Sequence, residues 1–471
     1  MKMLIAGKWV DRKEKIEVRD PYDNSLVDTV PSGSAEDIEA AVAAAEKGFE
    51  VNRNLPVHER IRILNKAAGI IESNLEVYAR VIAREGSKTI REARKEASRC
   101  VDTVRISAEE ARRIAGETIP FDSRPGSENR VGYYFRFPIG IIAAITPFND
   151  PLNLVAHKVG PAIAGGNAVV VKPATVTPLS ALMLGKALMD AGLPANVLNI
   201  VTGHAARVGD ALVTDPRVRM VSFTGGAPAG EEIMKKVGLK KVGMELGSNT
   251  PVIVCEDCDL QRAVEDSVSG AFWAAGQNCI GVQRIYIEQG IYKRFETLFV
   301  ARTRKYKVGP KLEEDCDMGP MINEGEAKRI ERWVNEAVKA GAKVLTGGKR
   351  RGAIYEPTVL ANVPPGSTID VEEVFAPTVN LYPVKDLDEA IAKANGVNFG
   401  LHAGIFTKDI NKAFKAIKEL DVGGIIVNDS SDYRIDMMPF GGVKRSGLGR
   451  EGIKFALMEM TEPRVVCFNL Y

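Results

Sequence analysis

Cysteine and histidine are scarce in this chain, six and four among 471 residues. Six cysteines over such a length do not make the dense disulfide framework of small secreted domains. His58, His157, His204 and His402 form no spaced cluster. The one paired-thiol stretch, "CEDC" with Cys255 and Cys258, has no second pair to complete a zinc site. No metal is expected. Net charge is lacking too: 63 basic residues against 61 acidic ones leave +2, and so small an excess gives no global field to favour nucleic acid or an anionic membrane. No apolar run approaches the roughly 18 residues that would span a bilayer. The opening "MKMLIAGKWVDRKEK" turns charged too soon for the apolar core of a signal peptide. A soluble, cytoplasmic protein that binds neither nucleic acid nor membrane is expected.

What is present looks globular. Hydrophobic residues at 45% and charged residues at 26% suffice for a sizeable core, and the length suggests about three structural units. "SAEDIEAAVAAAEKGFE" places Ser34 three residues before Asp37, a capping-box pattern ahead of apolar residues at helical spacing. After a short β-like opening the first hundred residues look helical, and turn residues with short β-prone runs over 119–148 predict a hairpin. From residue 168 the rhythm becomes strand, turn, helix: "AVVVKPA" then "TPLSALMLGKALMDAG", "NVLNIVTG" then "HAARVGDALVTD", "VRMVSFTGG" then "APAGEEIMKKVG". Such alternation predicts a parallel sheet covered by helices. A second region of this kind runs from about 250 to 440, with "TPVIVC" and "QRIYIEQ" among its strands. The last residues, "MEMTEPRVVCFNLY", are β-prone and need a partner. That partner is either the hairpin of residues 120–136, within or between subunits, or an internal sheet.

Several stretches carry chemistry, each weakly on its own. Lys172 and Thr175 follow a strand in "VVVKPAT"; Gly225, Gly226 and Gly230 sit at a strand-to-helix turn in "VSFTGGAPAG". Glycines there permit close approach, and a helix start favours phosphate, although the fingerprint G-x-G-x-x-G is absent. Glu245 stands beside a turn in "KVGMELGSNTP", and Asn149 lies between two prolines in "ITPFNDP". Cys279, in "AAGQNCIGVQR", is open to four readings: core thiol, metal ligand, half of a disulfide, or nucleophile. A cysteine-protease reading would pair it with a histidine such as His157, but no protease signature surrounds it.

Together these stretches are more specific. "ITPFN", "KPAT", "FTGG", "MELGSNTP", "GQNC", "EEVFAP" and "PFGGVKRSGLGREG" occur in this order over some three hundred residues. The chain thereby resembles the aldehyde dehydrogenase superfamily over nearly its whole length. The resemblance implies an α/β fold with two Rossmann-type parallel-sheet domains plus a small β oligomerisation element. It divides the chain into an NAD(P)-binding domain (1–119 and 139–247), a catalytic domain (248–452) and the oligomerisation element (120–138 and 453–471), usually in a homodimer or homotetramer. It makes Cys279 the nucleophile, Glu245 the general base and Asn149 the amide of an oxyanion hole. A thiolate suits attack on an aldehyde carbon, and a fixed amide donor suits the oxyanion that forms. Relatives that pass the acyl group to coenzyme A lack the glutamate, so release of a free carboxylic acid is expected.

By the same resemblance the cofactor site takes Thr146, Pro147, Phe148, Lys172, Thr175, Gly209, Phe223, Gly225, Gly226, Gly230, Leu246, Glu373 and Phe375. NAD-preferring relatives often carry glutamate at the position of Thr175; without that charge a 2′-phosphate meets no repulsion, and NADP is expected to be preferred over NAD. Two departures stand out: Gly226 replaces the usual serine after FTG, and Ala376 the usual glycine of the EEVF motif. The substrate tunnel is expected to take Asp150, Asn153, His157, Asn278 and Ile280. A polar lining disfavours fatty or aromatic aldehydes, because buried polar groups left unpaired are costly. "ELGSNTP" and "NDSSDYRIDMMPFGG" resemble the lactaldehyde dehydrogenases and non-phosphorylating glyceraldehyde-3-phosphate dehydrogenases. A short hydroxyaldehyde is therefore the expected substrate. The alternative is an anionic aldehyde held by Arg105, Arg284 and Arg434. A catalytically silent protein on this fold would be expected to have lost Cys279 or Glu245.

Overall fold

The computed structural model describes all 471 residues. Its first sheet has eight strands, in the order Lys8–Val10, Met3–Ile5, Leu198–Ile200, Ala168–Lys172, Ile141–Ile145, Val218–Thr224, Lys241–Glu245 and Gly447–Leu448. The five from Leu198–Ile200 to Lys241–Glu245 run parallel. Every residue of Ala168–Lys172 is buried, because helices cover both faces, so an unbroken apolar run replaces the alternation of a half-exposed strand. The order reverses between Ile141–Ile145 and Val218–Thr224, and a crevice for ligands opens beyond the carboxyl ends of strands at such a point. Gly447–Leu448, from the span assigned by sequence to the catalytic domain, pairs antiparallel with Met244 and Glu245.

The second sheet has seven strands, in the order Lys343–Thr346, Thr358–Ala361, Thr378–Val384, Arg284–Glu288, Pro251–Val254, His402–Phe406 and Gly424–Val427. All but Lys343–Thr346 are parallel. The first helix, Ala35–Asn54, begins as its sequence predicts, with the Ser34 N–H donating to the Asp37 carboxylate at 3.0 Å. The terminal strand Thr461–Asn469 pairs antiparallel with Arg130–Pro138 over nine residues, from Thr461 opposite Pro138 to Asn469 opposite Arg130. The partner is thus the hairpin region of the same chain. Together with Glu117–Thr118 these strands form a third sheet. Val131, Tyr133, Phe135, Val465 and Phe468 on it are exposed. No helix is long and apolar enough to cross a membrane.

Candidate active site

The mouths of the two large sheets face one cavity of about 910 Å³, lined by residues of both. From the first sheet come Thr146, Pro147, Phe148, Asn149 and Asp150, beyond Ile141–Ile145; Thr224, Gly225 and Gly226, beyond Val218–Thr224; and Glu245, Leu246 and Gly247, beyond Lys241–Glu245. From the second half come Asn278, Cys279, Ile280, Glu373, Phe375 and Arg434. Cys279 follows the helix Leu260–Phe272 through a sharp turn. Ala274, Ala275 and Gly276 in this turn are consecutive left-handed residues, with φ of +51°, +55° and +68°. Each alanine pays about 1–2 kcal/mol for that conformation, so neighbouring groups must hold the turn. A side chain on Gly276 would meet the Ala376 carbonyl oxygen at 2.1 Å, so the "GQNC" and "EEVFAP" loops are pressed together where only glycine fits. The Gln277 side chain spans the turn, donating to the Ala274 carbonyl at 3.0 Å and accepting from the Ile322 N–H at 2.8 Å.

Burial dominates the electrostatics. It pushes the Cys279 thiol up to about 12; the Arg434 guanidinium works against it, while Glu373, Asp150 and Glu245 reinforce it. Glu245 lies well above the ordinary carboxylate range, first through burial and then through the nearby Glu451 carboxylate, with Arg434, Lys158 and Arg450 opposing. Its Oε2 is buried without a hydrogen-bond partner. Lys158 Nζ lies 2.7 Å from Glu451 Oε1 and 3.0 Å from Ser222 Oγ. The Arg434 side chain, only 7% exposed, has Nη2 3.7 Å from Glu451 and its guanidinium carbon 3.7 Å from the Phe440 ring centre. Its Nε and Nη2 nonetheless lack hydrogen-bond partners. A guanidinium at a cavity wall with donors to spare suits an oxygen acceptor.

The other end of the cavity suits a dinucleotide. Thr146 and Thr224 line it, and their hydroxyls are buried without hydrogen-bond partners, a state that calls for an explanation. Gly225, Gly226 and Ala227 open onto it at the start of the helix Ala227–Met234, where phosphate is favoured. Burial lowers the Lys172 ammonium to about 8, and its Nζ is 3.3 Å from Thr175 Oγ1. Glu373 accepts the Ser248 N–H at 2.9 Å and packs so closely on Gly247 that a Cβ there would lie 2.2 Å from its Oε2. Burial raises this carboxyl to about 7. Phe148 and Phe375 meet edge to face, with centroids 5.8 Å apart at 89°.

Most residues singled out from sequence line this cavity, with exceptions. Arg105 does not: it projects outward and pairs with Glu72 at 2.5 Å. Arg284 does not either. It is fully buried and spends its donors on the carbonyls of Asn249, Lys393 and Ala394 and on the Tyr286 hydroxyl. His157 and Asn153 lie behind the wall, 2.8 and 3.1 Å from Asp436 Oδ1. That bond also removes His157 as a partner for Cys279. Gly230 packs against Leu246, whose Cδ2 a Cβ would approach to 2.5 Å, and Gly209 has only Ala205 of its own helix nearby, at 4.0 Å; neither is among the lining residues. Thr175 adjoins the lining through Lys172, Ala174 and Val176 and donates to the Gly203 carbonyl at 3.1 Å. Sequence reasoning missed Arg99, Trp273, Asp432, Phe440 and Glu451, all of which line the cavity. Arg99 and Glu451 carried a usable signal, a charge on an otherwise buried helix face and a charge inside the "GREG" stretch.

Residues 9–466 match the model of the aldehyde dehydrogenase family. The chain is 50% identical over 455 residues to aspartate-semialdehyde dehydrogenase 1 of Pseudomonas canavaninivorans, covering 97% of each protein. It is 46% identical over 468 residues to the 3-sulfolactaldehyde dehydrogenase of Priestia megaterium, covering 99% of this chain and 98% of that one. Among solved structures, the glyceraldehyde-3-phosphate dehydrogenase of Methanocaldococcus jannaschii complexed with NADP superposes with a TM-score of 0.94 at 40% identity, over 98% of this chain and 100% of that one. With a cysteine, a buried glutamate and an asparagine around one cavity at the mouths of two parallel sheets, this chain belongs to the aldehyde dehydrogenase family.

Proposed function

We propose that the protein oxidises a short, polar aldehyde, a hydroxyaldehyde of the lactaldehyde or glyceraldehyde type, to its carboxylic acid with NADP or NAD. The observation that carries this reading is the shared cavity: Cys279, Asn149 and Glu245 line it beside Asp150, Asn278, Asp432 and Arg434, polar groups that a substrate able to hydrogen-bond would satisfy and an alkyl or aromatic tail would leave unpaired. The resting thiol is protonated, so as Sγ attacks the aldehyde carbon its proton passes to the Glu245 carboxylate, directly or through water, and from there to solvent before the hydrolytic step. The Asn149 amide donates to the oxyanion of the resulting thiohemiacetal; losing one such donor typically costs about 2.7–4 kcal/mol. When bound, the nicotinamide supplies the hydride acceptor. Thr146, Lys172, Thr224 and Glu373 are the groups that would hold the cofactor, and Phe148 and Phe375 would flank it. The thioester left on Cys279 is then hydrolysed, with the Glu245 carboxylate taking a proton from water. Thr175, uncharged beside Lys172, favours NADP. The exposed apolar face of the third sheet suits a homodimer or homotetramer.

A second reading has its own support. Arg434 presents two unpartnered nitrogens from a buried side chain, which suits a substrate with a small anion such as carboxylate, sulfonate or phosphonate. Relative kcat/KM for lactaldehyde, glyceraldehyde, 3-sulfolactaldehyde, succinate semialdehyde and hexanal, each with NADP and NAD, separates the two. A neutral hydroxyaldehyde in first place supports the lead reading, and an anionic one the second. Hexanal in first place refutes both.

A further inference from the structure

The helix Ile90–Ala111 carries none of the reacting groups, yet three loops of the site end on one of its faces. Glu92, Glu96, Arg99 and Thr103 follow one another at intervals of four, three and four residues, which sets them within roughly 60° of each other about the helix axis. Glu92 Oε1 accepts the Ala274 N–H at 2.8 Å, while its Oε2 accepts the Thr89 N–H at 2.8 Å. Ala274 opens the left-handed turn that leads to Cys279. Glu96 Oε1 accepts the N–H groups of Leu152 and Asn153, at 2.8 and 3.1 Å, just beyond Asn149. Its other oxygen takes Lys88 Nζ at 2.8 Å, and Lys88 also pairs with Asp150. Arg99 Nη2 donates to Asp436 Oδ1 at 2.7 Å, two residues beyond Arg434. The Thr103 hydroxyl donates to Asn153 Oδ1 at 2.7 Å, and Asn153 Nδ2 donates to the same Asp436 oxygen at 3.1 Å.

We propose that this helix face is the positioning element of the reaction. Glu92 and Glu96 hold the Cys279 thiol and the Asn149 amide in register, and Arg99 and Thr103 fix the loop that presents Arg434. The proposal rests on the roles assigned above to Cys279 and Asn149. The physical argument lies in how these groups are carried. The thiol and the amide follow elements of different sheets, so their separation is set by whatever both loops share. Glu92 and Glu96 are 4% and 1% exposed, so water does not compete for the N–H groups they accept. Ala274 and Ala275 are strained; released from Glu92, the turn relaxes to another geometry. A displacement of about 1 Å between reacting groups is enough to cost about a hundredfold in rate.

Two rates tell this role from a merely structural one. Formation of the thiohemiacetal and its oxidation to the thioester need the thiol and the amide in register, and together are read as the first-turnover appearance of reduced cofactor in stopped flow. Alkylation of Cys279 by iodoacetamide needs the thiol alone. For Glu92→Gln and Glu96→Gln, the first-turnover rate is expected to fall at least tenfold. The alkylation rate and the cofactor KM should stay within twofold of wild type. Thr103→Val, which removes a hydroxyl at nearly constant size, should show the same split with at least a threefold fall, and keeps the test open if a glutamine variant does not fold. Glu109→Gln, on the exposed side of the helix, should change nothing. Folded variants whose first-turnover rate stays within twofold of wild type would overturn the proposal. So would a first-turnover fall matched by an equal fall in alkylation. A wild-type enzyme that reduces neither cofactor with any aldehyde of the panel would instead overturn the chemistry assigned to Cys279, and the proposal with it.

Discussion

In the free enzyme the Cys279 thiol is held at about 12 by burial. At pH 8, four units below, about one molecule in ten thousand carries the thiolate, a penalty of about 5 kcal/mol. Iodoacetamide reacts with the thiolate, so the alkylation rate constant should climb about tenfold per pH unit between pH 7 and 11, with no plateau. Arg434 is the cation that most strongly opposes burial at this thiol. In Arg434→Gln the folded-state pKa therefore rises further, and the profile moves to higher pH, with slower alkylation at every pH below its end. The assay is peptide mass spectrometry of the Cys279 peptide, because Cys467 is exposed and reacts on its own while the other four cysteines are buried. A plateau below pH 9, or an Arg434→Gln profile at lower pH, would refute the electrostatic account of this site.

Three further outcomes follow from geometry already described. Glu451→Gln removes the like charge that raises Glu245; the Glu245 pKa should fall, and the acid limb of kcat should move to lower pH, as a full pH–rate profile would record. Thr175→Glu sets a carboxylate three residues from Lys172, and should lower kcat/KM for NADP at least tenfold relative to NAD in paired initial-rate measurements. Gly276→Ala forces a Cβ to 2.1 Å from the Ala376 carbonyl at a positive φ. It should cost about 1–3 kcal/mol or more, visible as a lowered Tm together with lost turnover.

The sheets were legible where strands are buried on both faces, because "AVVVK" and "VRMVSFT" have no period to confuse with a helix. The groups proposed to react were legible for a related reason. Asn149 and Glu245 stand at strand ends marked by proline and glycine, where local sequence and ligand site coincide. The arginines were not. Sequence placed a cavity arginine on this helix at Arg105, but Arg105 is six residues beyond Arg99, which lines the cavity, and that offset turns it to the far side of the helix and out to Glu72. Arg284 shows the complementary failure. Its strand is buried throughout, and its charge is spent on the last carbonyls of the helix Leu387–Asn395, a favourable place for a cation that no local pattern announces. Asp432 and Trp273 belong to loops whose meeting depends on how the two halves pack, and no spacing in the chain encodes that.

The pairing of Gly447–Leu448 with Met244 and Glu245 also sets an order of events during synthesis. Glu245 is made some two hundred residues before its strand acquires this neighbour. At about 5–20 residues per second, the strand edge that carries Glu245 stands open for roughly 10–40 s while the rest of the chain leaves the ribosome. The first sheet can be otherwise complete in that interval, but the edge at Glu245 cannot. The nascent chain therefore holds a nucleotide-binding crevice well before it holds an enzyme.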